Sequence, residues 1–269
     1  MDLTNKVIAL TGAGSGIGRG TALALAKRGA LVELSDVNAA GLEETAALLR
    51  NEGADLAAQI VDVADAEAVD AWAKDIADRR GPADGIINNA GVTLVAEGRN
   101  QSHDDVAWVM DINFWGVVHG TCAFLPAMLE RGSGHIVNIS SIFGLFGVAT
   151  QSAYCASKFA VRGYSESLRV ELRESGVGMT VVHPGGVRTN IVNSSRCALQ
   201  GEAAGSRDEV NARYNQLLDR TDPAKAGKLI CKAMENNKAL LRIGPDAHIV
   251  DWLQRLMPVR FPLMGVLIK

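Results

Sequence analysis

The feature that most limits the fold is the alternation of two kinds of segment along the chain. Short runs rich in β-branched residues alternate with longer stretches rich in Ala, Leu and charged residues. This alternation is typical of consecutive βαβ units, and it predicts an α/β fold with a doubly wound parallel sheet. The predicted strands are Val7–Leu10, Leu31–Ser35, Leu56–Val61, Gly85–Asn88, Gly134–Ser140, Gly178–His183 and Leu240–Ile243. The predicted helices are about Gly16–Arg28, Ala39–Asn51, Ala66–Arg80, Asp104–Leu129, Ser152–Ser175 and Pro223–Asn237.

Composition sets the class of protein. The 269 residues are 48% hydrophobic and 21% charged, with a formal net charge of −3. A chain of this size can bury roughly three quarters of the surface that it exposes when unfolded, so disordered and fibrous classes are excluded. The slightly acidic balance argues against nucleic acid as a partner. Without repeats or Pro/Ser-rich linkers, we expect a single domain over residues 1–269.

Further expectations concern the membrane, the thiols and metals. No apolar stretch approaches the roughly 18 residues of a membrane span, and no basic leader precedes an apolar core, so we expect a cytoplasmic protein. The widely spaced cysteines, without a CxxC pair, favour reduced thiols. The histidines show no ligand spacing, so no metal is assigned.

A glycine-rich turn directly follows the first predicted strand and opens the first helix. It contains Gly12, Ser15, Gly16, Ile17 and Gly18. Such glycines let the backbone approach a pyrophosphate, whose charge is then met by the free N–H groups and the positive end of the helix. The alternative interpretation is a tight strand-to-helix turn without a ligand.

Polar residues at the ends of the following strands favour a dinucleotide. Asp36 ends the second strand, where a carboxylate can accept hydrogen bonds from a ribose and repel a 2′-phosphate, so NAD is favoured over NADP. The alternative for Asp36 is a cap of the helix that begins near Asn38. Asp62 and Val63 end the third strand and Asn89 follows the fourth, along the same carboxyl edge where ligands bind in open α/β sheets.

A possible catalytic group follows the fifth strand. Tyr154 and Lys158 are four residues apart on a predicted helix and project from one face, and Ser141 lies at the exit of the strand. A tyrosine with an ordinary pKa near 10 needs a shift of about three units to act as a base near neutrality. We expect the Lys158 ammonium and an oxidised nicotinamide to lower the pKa of Tyr154, with Ser141 hydrogen-bonding the oxygen that exchanges the proton.

Together these motifs resemble the short-chain dehydrogenase/reductase family, in its branch of about 250 residues. The resemblance runs from Lys6 to about Gly244 and rests on several motifs in order. They are Thr11-Gly12-xxx-Gly16-x-Gly18, Asn88-Asn89-Ala90-Gly91, Ile136-Val137-Asn138-Ile139-Ser140-Ser141, Tyr154-xxx-Lys158 and Pro184-Gly185. The resemblance implies a Rossmann fold with NAD as cofactor.

The resemblance also implies a role for each matched residue. Tyr154 matches the general acid/base, and Lys158 the residue that lowers its pKa and hydrogen-bonds the nicotinamide ribose. Ser141 matches the catalytic serine, and Asn113 the asparagine that holds a water of the proton relay; the alternative for Asn113 is a polar residue inside a long helix. Val187 and Thr189 match the segment that contacts the nicotinamide carboxamide. In the family the helices around Asn113 and Tyr154 pack against a second subunit, so a homodimer or homotetramer is implied.

Two segments depart from the alternation. Residues 191–221 are long and mostly polar, as expected of a substrate lid. The tail 252–269 is too apolar to be left in water, and we expect it to contact another subunit or cover the substrate site. Peripheral membrane contact, flanked by Arg255, Arg260 and Lys269, is the alternative for the tail.

These observations predict an NAD(H)-dependent oxidoreductase that interconverts a secondary alcohol and a ketone. The substrate would be a small molecule, medium-sized or bulky and lipophilic. One alternative is a carbonyl reductase that uses NADPH, which Asp36 disfavours. Another is a nucleotide-sensing binding protein without turnover, which the intact set of candidate catalytic residues disfavours.

Overall fold

A computed structural model describes residues 1–189, 191, 196–197 and 221–258. Most of the expected lid and the tail beyond residue 258 lie outside these residues. The described chain forms one domain, in which a seven-stranded sheet is flanked by helices on both faces. The strands are β1 (Val7–Thr11), β2 (Leu31–Asp36), β3 (Leu56–Ile60), β4 (Gly85–Asn88), β5 (Leu94–Val95), β6 (Gly134–Ile139), β7 (Val177–Pro184), β8 (Arg196–Cys197) and β9 (Leu240–Ile243). The α-helices are α1 (Gly16–Ala26), α2 (Ala39–Asn51), α3 (Ala66–Arg80), α4 (His103–Met110), α5 (Gly116–Arg131), α6 (Ser152–Glu171), α7 (Pro223–Glu235) and α8 (Pro245–Leu256).

The strand order determines where a ligand can bind. The sheet runs β3-β2-β1-β4-β6-β7-β9, and every neighbouring pair is parallel. The chain builds the sheet outward from β1 in one direction and then, from β4, in the other. This reversal opens a crevice at the carboxyl ends of β1 and β4, the usual ligand site of such sheets. The predicted fold class and the seven sheet strands are confirmed.

Alternating residues of the strands pack into two separate hydrophobic cores, one on each face of the sheet. Ile8 and Leu10 of β1 pack on the side that α1, α2 and α7 cover, whereas Val7 and Ala9 pack on the side of α3, α5 and α6. All five residues of β1 are buried, because a central parallel strand has helices over both faces. Burial on both faces therefore holds the carboxyl end of β1 in a fixed position.

Side-chain caps at the starts of helices agree with the sequence. Asp222 accepts the Ala224 N–H at 2.7 Å ahead of Pro223, and Ser102 accepts the Asp105 N–H at 3.0 Å. At the end of α5, Gly132 takes the left-handed conformation, with φ of 66°. Each cap satisfies groups that the helix itself leaves unpaired.

Several predicted boundaries were wrong. The helix predicted over Asp104–Leu129 spans His103–Arg131 and contains a π-helical turn at Asp111–Trp115. The helix predicted to end at Ser175 ends at Glu171, and Pro245–Leu256 forms a helix that was not predicted. The short sheet of β5 and β8 was also not predicted, because strands of two residues have no detectable periodicity.

One expectation about apolar stretches was also wrong. Among the described residues, the helix over 103–131 is long and apolar enough to cross a membrane by length and composition alone. Its α5 part packs against β4, β6 and α3, as the core helix of a layered domain does. Within the same described part, Cys122, Cys155 and Cys231 are free thiols, and no cluster of His, Cys, Asp or Glu could hold a metal ion.

Candidate active site

The glycines of the glycine-rich turn have no side chains, so the backbone of the turn can lie close to neighbouring segments and leave room for a ligand. Gly12 has φ of +64°, and a Cβ there would lie 2.7 Å from the Cα of Ala90. A Cβ on Gly18 would overlap the carbonyl oxygen of Gly12, and one on Gly16 would lie 2.9 Å from Cγ2 of Thr189. Side chains at these positions would collide with the neighbouring segments, so the tight path of the turn into α1 requires glycine. A turn of this kind before a helix N-terminus fits a dinucleotide pyrophosphate.

An open cleft of about 560 Å³ adjoins this turn. Its lining is Gly14, Ser15, Gly16, Arg19, Gly20, Leu23, Asn38, Ala40, Gly41, Glu44, Arg188, Thr189, Asp222, Pro223 and Ala224. Of the residues predicted to bind a cofactor, Ser15, Gly16 and Thr189 line this cleft. Ile17 opens α1 behind them and packs against the core.

Asp36 lies at the end of β2 with its carboxylate against the glycine-rich turn. Its Oδ2 accepts the N–H of Gly14 at 2.8 Å, and its Oδ1 accepts the N–H of Asn38 at 2.9 Å. The residue is half-buried, and each carboxylate oxygen can accept a further hydrogen bond. The cap of α2 is a different side chain, since Asn38 Oδ1 accepts the Gly41 N–H at 3.1 Å. The alternative interpretation of Asp36 as that cap was therefore wrong.

Arg19 is a residue that sequence reasoning missed. Its guanidinium donates to the Gly14 carbonyl at 2.6 Å, to Thr45 Oγ1 at 2.9 Å and to Glu44 Oε2 at 2.8 Å. These contacts tie the turn to α2 and place a cation in the cleft, but that cation is already paired with a carboxylate. In the sequence, the only indication that Arg19 belongs to the cleft is its position one turn into α1.

The carboxyl ends of β1 and β4 are tied together by Asn89. Its Nδ2 donates to the carbonyls of Thr11 and Gly12, each at 3.0 Å, and its own N–H donates to Thr11 Oγ1 at 3.0 Å. Asn88 points into the core instead, donating to Asn138 Oδ1 at 2.9 Å. The asparagines thus brace β1, β4 and β6 at the crevice.

Tyr154, Ser141 and Lys158 come together at this edge. The Tyr154 ring is 9% exposed, and the Ser141 hydroxyl hydrogen-bonds its phenol. The ammonium nitrogen of Lys158 lies 5.7 Å from the centre of the Tyr154 ring and donates to the Ile139 carbonyl at 3.1 Å. A Cβ on Gly91 would lie 3.4 Å from that nitrogen, so the Asn-Asn-Ala-Gly motif reaches the same place.

The pKa of Tyr154 shifts in the direction opposite to that expected. Burial raises the pKa of Tyr154 to about 12, and the Ser141 hydrogen bond offsets only part of that rise. Burial also lowers the pKa of Lys158, to about 8. The expectation overlooked that the fold removes both groups from water, which disfavours their charged forms. In the protein without cofactor, the neutral phenol is therefore the stable form.

Asn113 lies in the π-helical turn and is completely buried. Its Oδ1 accepts the Val92 N–H at 2.8 Å, while its Nδ2 donates to the Val92 carbonyl at 2.9 Å and to Ser157 Oγ at 3.0 Å. Ser157 in turn donates to the Tyr154 carbonyl at 2.8 Å. The π turn thus connects the strand-end loop to the helix that carries Tyr154, as such turns often do at functional sites.

The segment after β7 is fixed by α8, which the sequence did not predict. Asp246 in the first turn of α8 accepts the Gly186 N–H at 2.6 Å. Val187 is buried, bridges to Thr221 and precedes Thr189 at the cleft. Asp246 therefore holds the loop that carries two predicted cofactor contacts.

The two predicted contacts after β3 face different surroundings. Asp62 is exposed and its Oδ1 accepts the Ala64 N–H at 2.9 Å. Val63 is buried, and its carbonyl is 2.9 Å from Nδ1 of His119. Both lie beyond β3 on the same side of the reversal as Asp36.

Comparison with known proteins places this geometry in a family. Residues 6–200 match the model of the short chain dehydrogenase family. The chain is 41% identical over 254 residues to SadH of Mycobacterium tuberculosis, named as an oxidoreductase, and the match covers 94% of this chain and 91% of SadH. It is 35% identical over 206 residues to levodione reductase of Leifsonia aquatica, covering 74% of this chain and 76% of that enzyme. A short-chain dehydrogenase/reductase of Burkholderia phymatum, solved in complex with NAD, superposes with a TM-score of 0.87 at 28% identity over 96% of this chain and 95% of that chain.

The fold and cleft define a Rossmann-type protein whose site is shaped for a dinucleotide. The matches then identify the family without ambiguity. This chain belongs to the short-chain dehydrogenase/reductase family of oxidoreductases, and its likeness to the NAD complex supports a nicotinamide cofactor.

Proposed function

We propose that this protein is an NAD(H)-dependent oxidoreductase that interconverts a secondary alcohol and a ketone. The observation that carries the proposal is the buried group of Tyr154, Ser141 and Lys158 at the carboxyl edge, next to a glycine-rich turn that fits a pyrophosphate. A bound nicotinamide dinucleotide would supply the hydride acceptor or donor and, when oxidised, a positively charged ring. The side chains of this protein would transfer the proton and stabilise the charge that develops on the substrate oxygen.

Tyr154 would exchange the proton of the substrate hydroxyl. In ketone reduction the neutral phenol, stable because its pKa is about 12, donates its proton to the carbonyl oxygen. In alcohol oxidation the phenolate must accept a proton, and it then depends on nearby positive charge. Lys158, with a pKa of about 8, is mainly protonated at neutral pH and supplies one such charge. The hydroxyl of Ser141 stabilises the oxygen on which charge develops.

The surroundings of Tyr154 favour a lipophilic substrate. Phe143 packs edge-on against Tyr154 with 6.2 Å between ring centres, and Phe146 packs against Phe143 at 5.7 Å. An apolar, aromatic wall of this kind suits a medium-sized or bulky alcohol or ketone. The relative named levodione reductase supports a ketone as the substrate class, but it does not identify a particular compound.

The first test is a panel of secondary alcohols and ketones assayed with both cofactors. Tyr154→Phe should reduce turnover by roughly 10²- to 10⁴-fold, because it removes the proton-transfer group, while NADH binding measured by fluorescence stays near that of the unmodified protein. Tyr164→Phe is the matched control, because Tyr164 lies on the same helix and packs against Phe114 instead. Wild-type turnover in Tyr154→Phe would refute the proposal.

NAD preference is proposed from the position of Asp36. A 2′-phosphate beside this carboxylate would meet like charge, and the nearby Arg19 is already paired with Glu44. Asp36→Ala should therefore raise the affinity for NADPH relative to NADH, measured by fluorescence titration. Tighter binding of NADPH than of NADH by the unmodified protein would contradict this preference. It would favour the alternative function, an NADPH-dependent carbonyl reductase.

We also propose that the protein forms a homo-oligomer through α5 and α6. Phe159 and Val170 lie about three turns apart on α6 and are 42% and 66% exposed. Trp115, in the π turn directly before α5, and Leu129 of α5 are 48% and 45% exposed. Exposed apolar side chains of this size favour a subunit contact. Light scattering should give a mass above that of one chain, and Phe159→Glu should lower it.

A further inference from the structure

His183 is a buried polar residue that the proposed chemistry does not use. It lies in β7 directly before Pro184 and is 0% exposed. Its Nδ1 lies 2.8 Å from the carbonyl oxygen of Ser141. A carbonyl oxygen only accepts hydrogen bonds, so Nδ1 must carry the hydrogen.

The protonation of the ring follows from its surroundings. Burial lowers the pKa of His183 to about 4, so the imidazole is neutral at physiological pH and has one N–H, on Nδ1. Its Nε2 is buried and has no hydrogen-bond partner among the described residues. Leaving this buried nitrogen unpaired costs stability, and among the described residues the bond from Nδ1 to the Ser141 carbonyl is the one hydrogen bond of the ring.

The bond reaches the residue whose hydroxyl contacts Tyr154. Before Ser141, the chain is held by the sheet, since the Ser140 N–H donates to the Val182 carbonyl at 2.8 Å. At Ser141 the chain leaves β6, and its carbonyl accepts from the Gly144 N–H at 2.9 Å as well as from His183. The imidazole thus ties the exit of β6 to β7, where the ladder of strand hydrogen bonds has ended.

We propose that His183 is a positioning residue, which holds the Ser141 peptide so that the Ser141 hydroxyl stays bonded to the Tyr154 phenol. This inference rests on the proposed function of Ser141 and Tyr154. Without the imidazole donor, Ser141 would be held only by the short turn that follows it, in which its carbonyl accepts the Gly144 N–H and its hydroxyl oxygen accepts the Phe143 N–H at 3.1 Å, and neither bond ties it to β7. A displacement of about 1 Å at a catalytic group can reduce turnover roughly a hundredfold.

The test compares two substitutions at His183. His183→Leu removes the donor, and His183→Asn keeps an N–H donor at the same distance from the backbone. We expect His183→Leu to lower kcat at least about tenfold with unchanged NADH affinity, and His183→Asn to restore most of kcat. Because the Ser141 bond lowers the pKa of Tyr154, the acid limb of alcohol oxidation should also move to higher pH in His183→Leu. The charged groups that influence the pKa of the ring, Arg162, Glu166 and Asp251, are not substituted in either variant.

His135 provides the matched control. It is also buried in the sheet, and its Nε2 lies 2.8 Å from Thr180 Oγ1. His135→Leu removes a buried imidazole without touching Ser141, so it should lower thermal stability but leave kcat and the pH profile unchanged. Equal kinetic losses in His135→Leu and His183→Leu would overturn the inference.

A double-mutant cycle separates the inference from the function on which it rests. If His183 acts through Ser141, then His183→Leu should have little further effect on kcat in a Ser141→Ala background. Additive losses would show that His183 does not act through Ser141. Wild-type turnover in Tyr154→Phe would instead refute the proposed function, whatever His183 does. If His183→Leu does not fold, His183→Phe keeps a planar ring without a donor and serves in its place.

Discussion

At the scale of single residues, Lys158 must satisfy two opposing demands. Its ammonium must be charged to favour the Tyr154 phenolate, yet Lys158 is 3% exposed and, within the part of the chain that the structure describes, the ammonium has one hydrogen bond, to the Ile139 carbonyl. Burial lowers the pKa of Lys158 from 10.5 to about 8, which means that folding disfavours the charged amine. We infer that the proposed site carries a cost in stability at neutral pH.

This cost can be measured with Lys158→Met. Below pH 8 the lysine is charged in both states and its burial penalty is fully present. The penalty declines as pH rises from 8 through 10.5, above which the amine is neutral in both states. We expect Lys158→Met to raise the free energy of unfolding at pH 7 by about 1–3 kcal/mol while abolishing turnover. The advantage over wild type should shrink as pH rises above 8. Urea denaturation of both proteins at pH 7 and pH 9.5 measures the difference, and a constant gap would contradict the explanation.

At the scale of elements, α8 matters because its first turn fastens the loop after β7. The Asp246 carboxylate accepts the Gly186 N–H, and a Cβ on Gly185 would overlap that carboxylate. The two glycines after Pro184 thus allow a helix from the end of the chain to reach the strand edge. The loop that leads to Val187 and Thr189 is therefore held by α8 and not only by β7, the strand that precedes it.

The Asp246 contact predicts a selective effect on cofactor binding. Asp246→Ala should release the loop and weaken NADH binding by about tenfold, since a charge-assisted hydrogen bond contributes about 1.5–3 kcal/mol. ADP-ribose lacks the nicotinamide, so its affinity should change little. Asp246→Asn retains an oxygen acceptor for the Gly186 N–H and is the control. Calorimetric titration with both ligands measures this, and equal losses for NADH and ADP-ribose would contradict it.

At the scale of the whole molecule, the first and last helices of one layer meet backbone to backbone. A Cβ on Gly227 of α7 would overlap the Gly20 carbonyl of α1, and a Cβ on Gly20 would overlap the Pro223 carbonyl. The N-terminal βα unit, which carries the glycine-rich turn, is thereby fixed to an element that follows the expected lid. The close contact needs a glycine on each helix.

Gly227→Ala should destabilise the whole domain. We expect the free energy of unfolding to fall by about 1–3 kcal/mol, because the added methyl group forces the helices apart. Gly98→Ala is the control, since a Cβ on Gly98 meets nothing within 4 Å and Gly98 lies outside α5 and α6. That change should be neutral or stabilising by up to about 1 kcal/mol, because alanine restricts the unfolded chain more than glycine does. Chemical denaturation measures both variants, and equal effects would contradict the close-contact explanation.

The seven strands of the large sheet and every described α-helix except α8 could be predicted, with α4 and α5 predicted as one helix, because their signals are local. Hydrophobic periodicity, helix caps and glycines at helix ends each depend on residues a few positions apart. Tertiary packing does not override these local signals. The short β5–β8 pair, the π turn at Asp111–Trp115 and α8 carry no such local signal. In the π turn, the side chain of Asn113 is held by Val92 and Ser157, which are distant in sequence.

The sequence by itself determined the parallel sheet, the glycine-rich turn and the prediction that Ser141, Tyr154 and Lys158 converge, because each depends on residue type and spacing along the chain. Asn113 was indicated by the family resemblance alone. Only the tertiary structure decided the electrostatics and the supports of the site. The raised pKa of Tyr154, the lowered pKa of Lys158 and the bonds from His183 and Asp246 all depend on which groups are buried together. Desolvation and contacts between distant segments arise only when the chain is packed, so no local pattern encodes them.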